Sequence, residues 1–187
     1  KVIKVEWNIS KDGLLKPRLH LEPTELDGVT IKHVTGFNAN FIVENNIGPK
    51  TIIRLVRSGK VIPHIKKVIK PSKEPQLPDI PYKWNKTKID LIYDEEVIDS
   101  DVEEDILVKN LTHFFKKMEI KNVDHSIIEK MIDIKLDTIP KILYAKKEDF
   151  LEIENFKEKM AEKVYNNIQE AIKNVDLPKI MVASNLF

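Results

Sequence analysis

The sequence predicts an α+β fold, in which a five-stranded β-barrel is followed by a small helical domain. Three observations lead to this prediction. The first 70 residues alternate apolar and polar side chains with the two-residue period of half-buried strands. Residues 106–187 instead repeat apolar side chains at helical spacing. Between the two patterns, four prolines fall within eleven residues (71–81), which disfavours regular structure there.

The barrel is predicted from five alternating segments and the break between them. The predicted strands lie at residues 2–9, 15–21, 29–35, 51–57 and 61–69. A turn at residues 10–13 separates the first two strands, and a short helical or irregular piece from Asn38 to Asn46 follows the third. Five strands with a break after the third fit the oligonucleotide/oligosaccharide-binding barrel, the OB-fold, and an SH3-like barrel is the alternative.

The predicted domain boundaries follow the changes in composition. Residues 1–72 form the barrel, residues 73–105 a proline-rich and acidic connector, and residues 106–187 the helical domain. The end of the connector carries eight acidic side chains in twelve residues (94–105), which is typical of a solvated stretch. A metal site or a nucleic-acid mimic are the alternatives for this acidic run.

Two segments of the helical domain resemble each other. Residues 120–131 and 153–164 each place a hydrophobic residue, Val123 or Phe156, between two polar residues immediately before a helix. This is the outline of a repeated helix-hairpin-helix unit. The backbone N–H groups that start the second helix of such a unit can bind a DNA phosphate.

Charge is segregated along the chain although its formal net charge is only +1. Residues 1–73 hold 14 basic and 6 acidic side chains, whereas residues 74–110 hold 4 basic and 11 acidic ones. The first segment therefore predicts a positive surface that attracts a polyanion, of which nucleic acid is the commonest. The alternative is a lysine-rich surface that serves solubility alone.

Composition excludes several classes of function. The chain has no Cys, which excludes disulfides, iron–sulfur clusters, cysteine zinc sites and cysteine nucleophiles. It has no apolar run of about 18 residues and no signal-peptide pattern, so we expect an intracellular protein without a transmembrane helix. Because the chain begins at Lys1, we expect it to be part of something longer.

Three aromatic residues in the barrel segment are candidates for stacking on nucleobases: Trp7, Phe37 and Phe41. Trp7 lies on the apolar stripe of the first strand, and a place in the core is the favoured interpretation for it.

The barrel segment resembles the OB domain of the NAD-dependent DNA ligases. Residues 5–17, VEWNISKDGLLKP, are similar to that family's tryptophan, glycine and proline pattern, and Leu21–Pro23 and Asp27–Thr30 continue the match. Thr35 and Asn38 stand at the ends of the family's TLHN stretch, with Gly36 and Phe37 between them. Residues 56–63, VRSGKVIP, are similar to its RAGDVIP signature.

The helical half resembles the same family less closely, through residues 111–115, the two hairpins and residues 142–151. The chain ends where the family begins a third hairpin, so we expect further sequence there. The family usually carries a four-cysteine zinc module between barrel and hairpins. Here the connector takes that interval without any such ligand, and we expect no zinc and the same folding with and without chelator.

The resemblance implies a set of DNA-contacting residues. The barrel positions that match the family's contacts are Lys11, Asp12, Arg57, Val61 and Ile62, to which we add Lys60 of the hairpin turn. In the helical hairpins the candidates are Lys121, Asn122, Asn155 and Lys157. Arg57 suits a bidentate phosphate contact, whereas Asp12 would repel DNA and is expected to shape its turn.

The hairpin glycines of the family are replaced here by Asn122 and Asp124, and by Asn155 and Lys157. Asn and Asp tolerate the left-handed backbone conformation better than most residues, so we expect the first hairpin to be retained. Lys157 suits that conformation poorly, and we expect weaker phosphate binding by the second hairpin.

The resemblance implies the DNA-clamping part of an enzyme that seals nicks in duplex DNA during replication or repair. NAD and Mg²⁺ would be bound by a nucleotidyltransferase domain absent from this chain, which is expected to be monomeric and not catalytic by itself. Lys11-Asp12-Gly13 lacks the spacer of the family's K-x-D-G adenylation motif and is interpreted as a turn. The alternatives are a stand-alone nucleic-acid-binding module and an interaction domain whose acidic connector recruits a basic partner.

Overall fold

The computed structural model describes residues 1–59, 62–175 and 177–184. The chain divides into two compact units, residues 1–102 and 103–187. They are called here the barrel unit and the helical unit.

The barrel unit is built from antiparallel strands. Their bounds are β1 Val2–Ile9, β2 Leu14–Leu26, β3 Val29–Thr35, β4 Ile52–Ser58, β5 Ile62–Lys70, β6 Tyr82–Trp84 and β7 Leu91–Tyr93. β2 pairs with β1 on one side and with β3 on the other, and β4 pairs with β5. The start of β2 also pairs with β7, which pairs with β6.

The sheet curls so that β1 meets the start of β4. The Val2 N–H donates to the Thr51 carbonyl at 2.8 Å, and the Lys50 N–H donates to the Val2 carbonyl at 2.9 Å. On the other side, Ile65 of β5 packs in the same core as Ile31 and Val34 of β3. The order β1-β2-β3-β5-β4 and the short helix α1 (Ala39–Glu44) after β3 confirm the predicted OB-type fold.

The predicted alternation of β1 is wrong at one position. The register with β2 shifts between Val2 and Lys4, so Val2 and Val5 both face the core while Ile3 is 52% exposed. Trp7 is half-buried against this core, and its indole N–H donates to the Gln76 carbonyl at 3.0 Å. That buried contact makes Trp7 a structural residue, as its apolar stripe indicates.

The expectation that the connector lacks regular structure is wrong in part. β6 and β7 form a hairpin within it, and α2 (Ser100–Lys117) begins inside its acidic run. Tyr93 of β7 is buried, and its hydroxyl accepts the Asp99 N–H at 2.8 Å. Short strands whose partners are distant in sequence carry little local signal, because pairing with β2 supplies their stability.

The helical unit contains five α-helices and a 3-10 helix in its described residues. They are α2, α3 His125–Asp133, α4 Ile139–Leu143, the 3-10 helix Asp149–Glu152, α5 Glu158–Asn174 and α6 Leu177–Ser184. Their apolar faces meet in a common core that includes Phe115, Ile128, Met131, Phe150 and Ile168. None of the helices in the described residues is long and apolar enough to cross a membrane.

Candidate nucleic-acid interface

An open groove of about 390 Å³ lies on the barrel unit across β1, β2, β3 and the start of β5. Its lining residues are Asn8, Lys16, Pro17, Arg18, His33, Val34, Thr35, Ile62 and Pro63. The side chains of Lys16 and Arg18 are exposed, and β2 places them on the same face because they are two residues apart. The groove therefore presents two cations beside a row of neutral side chains.

Two histidines, His20 and His33, lie beside these cations on the same face of the barrel unit. The rings of His20 and His33 meet edge to face at 4.5 Å, and His20 Nε2 lies 3.0 Å from a carboxylate oxygen of Glu6. Burial, helped by the charge of Arg18, lowers the pKa of His33 below its ordinary value, so its ring is neutral at neutral pH. The hydrogen bond from His20 lowers the pKa of Glu6. Lys16 and Arg18 thus supply the groove's positive charge.

The β1–β2 turn contains the predicted contacts Lys11 and Asp12. Lys11 Nζ lies 2.6 Å from the Asp12 carboxylate, so the two opposite charges are paired. The Ser10 hydroxyl accepts the backbone N–H groups of Asp12 and Leu14, and Gly13 adopts a φ of 72° that suits glycine. Asp12 lies in this turn, and its carboxylate is paired with Lys11.

The same turn does not fit a nucleotide-binding site. Its lysine is ion-paired, and the residues around it form a surface turn rather than a cavity. Among residues 1–59, 62–175 and 177–184, no group of three or more His, Asp or Glu side chains could hold a metal ion.

Of the predicted contacts next to the β4–β5 turn, Ile62 lines the groove and Arg57 does not. Ile62 is 65% exposed and lines it. Arg57 is half-buried and donates a 3.4 Å hydrogen bond to the Asp27 carbonyl. Of the predicted contacts, Lys60 and Val61 lie outside the described residues. The groove thus includes Ile62 directly, while Arg57 is held against the β2–β3 turn.

The first loop of the helical unit (residues 120–124) leads from α2 into α3. Asn122 adopts the left-handed conformation at a φ of 62°, as expected for a residue replacing glycine, and Val123 is buried. Asp124 caps α3, because its carboxylate accepts the Ile127 N–H at 3.1 Å. Asn167 of α5 steadies the loop by donating to the Lys121 carbonyl at 2.8 Å.

The second loop (residues 153–157) leads from the 3-10 helix into α5 with the same backbone pattern. Asn155 is left-handed at a φ of 67°, and Phe156 is half-buried against the core. Lys157 stands where Asp124 stands in the first loop, with a φ of −108° that any residue adopts. The Lys157 side chain makes no cap hydrogen bond to the first turn of α5.

The assumption that Lys157 takes a left-handed conformation is therefore wrong. Asn155 supplies that conformation, and the lysine sits in extended backbone without strain. Exposed Lys157 and Lys159 lie at the start of α5, whose first turn also holds the carboxylate of Glu158. In the first loop the Asp124 carboxylate takes the place of Lys157, whereas Lys121 stands where the second loop has Glu154.

Sequence reasoning missed Lys16, Arg18 and His33 as groove residues. The signal was present in the alternation of β2, which puts Lys16, Arg18 and His20 on its polar face. Because a solvated strand face carries charged residues in most proteins, that pattern alone did not distinguish a binding surface.

The fold and the groove define a class: an OB-type barrel with a cationic face, followed by a helical unit. Comparison with known proteins then shows which proteins of this class the chain is similar to. Residues 1–76 match the family model described as the NAD-dependent DNA ligase OB-fold domain. The match is confined to residues 1–76, and the chain is similar along its length to a portion of proteins named DNA ligases.

Three relatives illustrate the similarity. The DNA ligase of Acanthamoeba polyphaga mimivirus is 42% identical over 186 residues, which cover 100% of this chain and 29% of the relative. A putative DNA ligase of Invertebrate iridescent virus 3 is 31% identical over 189 residues, with 100% and 24% covered. The DNA ligase of Clostridium botulinum (strain Loch Maree / Type A3) is 34% identical over 196 residues, with 98% and 28% covered. The chain thus spans less than a third of these relatives.

Proposed function

We propose that this chain is the DNA-holding portion of an NAD-dependent DNA ligase, which seals nicks in duplex DNA during replication or repair. The chain grips the nicked duplex as a monomer. NAD and Mg²⁺ are used by a nucleotidyltransferase part of the enzyme that this chain does not match. The proposal rests on similarity to DNA ligases along the entire chain.

The observation that carries the proposal is the cationic groove in a barrel of the ligase OB family. Lys16 and Arg18 suit contacts to phosphate, and the guanidinium of Arg18 offers paired donors. The exposed side chain of Ile62 suits contact with sugars in a shallow groove. Such contacts hold a duplex without reading its sequence, which is what an enzyme acting on any nick requires.

The helical unit supports the same function through the second loop, which we interpret as part of a helix-hairpin-helix unit. α5 is 17 residues long, and its partly positive N-terminus is open to an anion next to Lys157 and Lys159. A DNA phosphate is the anion that this arrangement fits in a ligase.

The first test measures the affinity of the chain for a nicked duplex as the salt concentration rises. Three phosphate contacts would lower the affinity roughly 40-fold between about 50 and 200 mM salt. Lys16→Ala is expected to reduce the salt slope by about one contact. Lys86→Ala, which removes an exposed lysine from the β6–β7 turn, is the matched control and leaves the slope unchanged. A salt-independent affinity contradicts the proposal.

The second test separates holding DNA from self-adenylation in the ligase that contains this chain. Arg18→Ala is expected to slow sealing of a pre-adenylated nick by about ten- to a hundredfold, the value of one charge-assisted hydrogen bond, and to leave enzyme–adenylate formation from NAD unchanged. Paired single-turnover assays measure both steps. Equal loss in both, or loss in neither, removes Arg18 from the DNA-holding surface.

A further inference from the structure

Phe37 is a strained and exposed aromatic residue at the end of β3. Its φ of 63° lies in the left-handed region, where a bulky side chain is an outlier. Its side chain is 47% exposed, so burial of the ring does not account for the conformation. Strain of this kind persists where the surrounding structure imposes it, and it clusters at functional sites.

The neighbours of Phe37 hold it in place from both sides. Gly36 donates its N–H to the Pro17 carbonyl at 2.9 Å, and a Cβ at Gly36 would lie 2.9 Å from Ile42 Cδ1 and 3.0 Å from Pro17 Cβ. On the other side, Asn38 caps α1 by accepting the Phe41 N–H at 2.8 Å. The chain therefore leaves β3 in close contact with β2 and enters α1 after only three residues, Gly36, Phe37 and Asn38.

The ring of Phe37 is also supported from one side. It meets the half-buried ring of Phe41 at 4.8 Å and 76°, an edge-to-face contact. The adjacent Thr35 hydroxyl accepts the Phe37 N–H at 3.2 Å. The exposed ring is thus fixed in direction rather than free to collapse onto the surface.

The position of Phe37 relates it to the cationic groove. Thr35 lines that groove and pairs with Arg18 in the β2–β3 ladder. Gly36, the residue before Phe37, donates its N–H to the carbonyl of Pro17, which also lines the groove. A fixed aromatic ring beside a cationic track is the combination that proteins use to stack nucleobases along a nucleic-acid backbone.

We infer that Phe37, supported by Phe41, stacks against an unpaired nucleobase of DNA held in the groove, such as a base at a frayed or gapped nick. The inference rests on the proposed DNA-holding function and adds a contact to a base, which the phosphate contacts do not provide. The cationic side chains of the groove that Thr35 lines, two residues before Phe37, favour a nucleic acid over an apolar peptide as its occupant.

The test compares two ligands, a continuous duplex and the same duplex with a one-nucleotide gap that carries 2-aminopurine at the gap edge. Phe37→Asn removes the ring and keeps a residue that tolerates the left-handed conformation. It is expected to weaken binding of the gapped duplex about fivefold or more, and to change binding of the continuous duplex less than twofold. The wild-type chain is expected to quench the 2-aminopurine fluorescence, and the variant to lose that quenching.

Two further variants complete the test. Phe37→Trp restores an aromatic ring and is expected to recover gapped-duplex binding. Tyr144→Ala removes an exposed aromatic side chain from the helical unit and is expected to leave the preference unchanged. If Phe37→Asn binds both ligands like the wild type, or loses both equally, the stacking inference is overturned while the proposed function stands. If the wild-type chain binds neither ligand, the proposed function and the inference both fall.

Discussion

The two loops of the helical unit have the same backbone conformation and carry opposite charges at two positions, Lys121 against Glu154 and Asp124 against Lys157. In each, an asparagine in the left-handed conformation (Asn122 or Asn155) precedes a hydrophobic residue that packs on the core, and an extended residue then starts a helix. That last residue is Asp124 in the first loop and Lys157 in the second. The first helix is capped by a carboxylate, and the second is left open beside a cation.

This difference matters most at the helix start, where the side chain either caps the helix or leaves it without a side-chain cap. A carboxylate there satisfies an N–H group that has no partner within the helix. The same carboxylate repels a phosphate that approaches the same N–H groups. Lys157 does not cap α5, and its charge attracts a phosphate instead. Under the proposed function, the two loops therefore differ in the balance between helix capping and phosphate binding.

The largest effect is expected from removing the support of the second loop. Phe150→Ala empties a fully buried site in the 3-10 helix before that loop, and should lower the free energy of unfolding of the helical unit by about 3–5 kcal/mol. Denaturant unfolding measures it. Leu151→Ala, at the 41% exposed neighbouring residue, is the control and should cost less than about 0.5 kcal/mol. Similar costs for the two variants would contradict the described packing.

Exchanging the charge of the second loop is expected to affect binding next. Lys157→Asp should weaken duplex binding about tenfold, because it removes a phosphate contact and adds a repelling carboxylate. The same substitution should raise the free energy of unfolding by about 0.5–2 kcal/mol, since it supplies the missing cap. Fluorescence anisotropy and denaturant unfolding measure these opposite changes.

The control for this exchange is Lys86→Asp in the β6–β7 turn, which changes the net charge equally and should leave the duplex affinity within about twofold. If Lys86→Asp weakens binding as much as Lys157→Asp, total charge rather than the second loop governs the affinity. If Lys157→Asp destabilises the helical unit, the assignment of Lys157 to the cap position is wrong.

In the first loop, cap and charge can be separated. Asp124→Ala should lower the free energy of unfolding by about 1 kcal/mol, because Ile127 loses its acceptor. Asp124→Asn keeps an oxygen that accepts this N–H and removes the negative charge, so stability should be retained while duplex affinity rises slightly. Denaturant unfolding and duplex binding of both variants separate the cap from the charge. Equal stability of the Ala and Asn variants would show that Asp124 does not stabilise α3 as a cap.

The smallest effect is expected from a change of pH on the free energy of unfolding. This effect arises from His33 of the barrel unit and does not involve the two loops. The pKa of His33 is lowered by burial, so between that lowered value and about 6.5 the unfolded chain binds more protons than the folded chain. The free energy of unfolding should therefore fall as the pH drops through this range. His33→Gln should flatten that dependence, which unfolding at a series of pH values will show. An unchanged slope would exclude His33 as its source.

Much of the barrel was predictable because its signals are local. The alternation of β2 and β3, the Asn38 cap of α1 and the turn at residues 10–13 each follow from a few adjacent residues. β6 and β7 were not predictable, because they depend on pairing with a strand about 75 residues earlier in the chain. The exposure of Ile3 depends on a register shift that no periodicity reveals.

The candidate DNA-binding surface also has features that the sequence could predict and features that it could not. Asn122 was expected to be left-handed from its residue type, and it is. The second loop was misinterpreted because two residues, Asn155 and Lys157, replaced glycines and only the backbone shows which of them needs the left-handed conformation. Lys16 and Arg18 could not be recognised as groove residues from the sequence, because the groove forms only when folding brings His33 and Ile62 to the same surface.

We propose that the second loop, and not the first, contacts a DNA phosphate. Amide NMR spectra of the chain, recorded while a nicked duplex is added, can distinguish the two loops. The N–H signals of Glu158 and Lys159, in the first turn of α5, are expected to shift markedly. Those of His125 and Ser126, in the capped first turn of α3, should shift little. Equal or larger shifts in α3, or none in α5, would exclude the second loop as the phosphate contact.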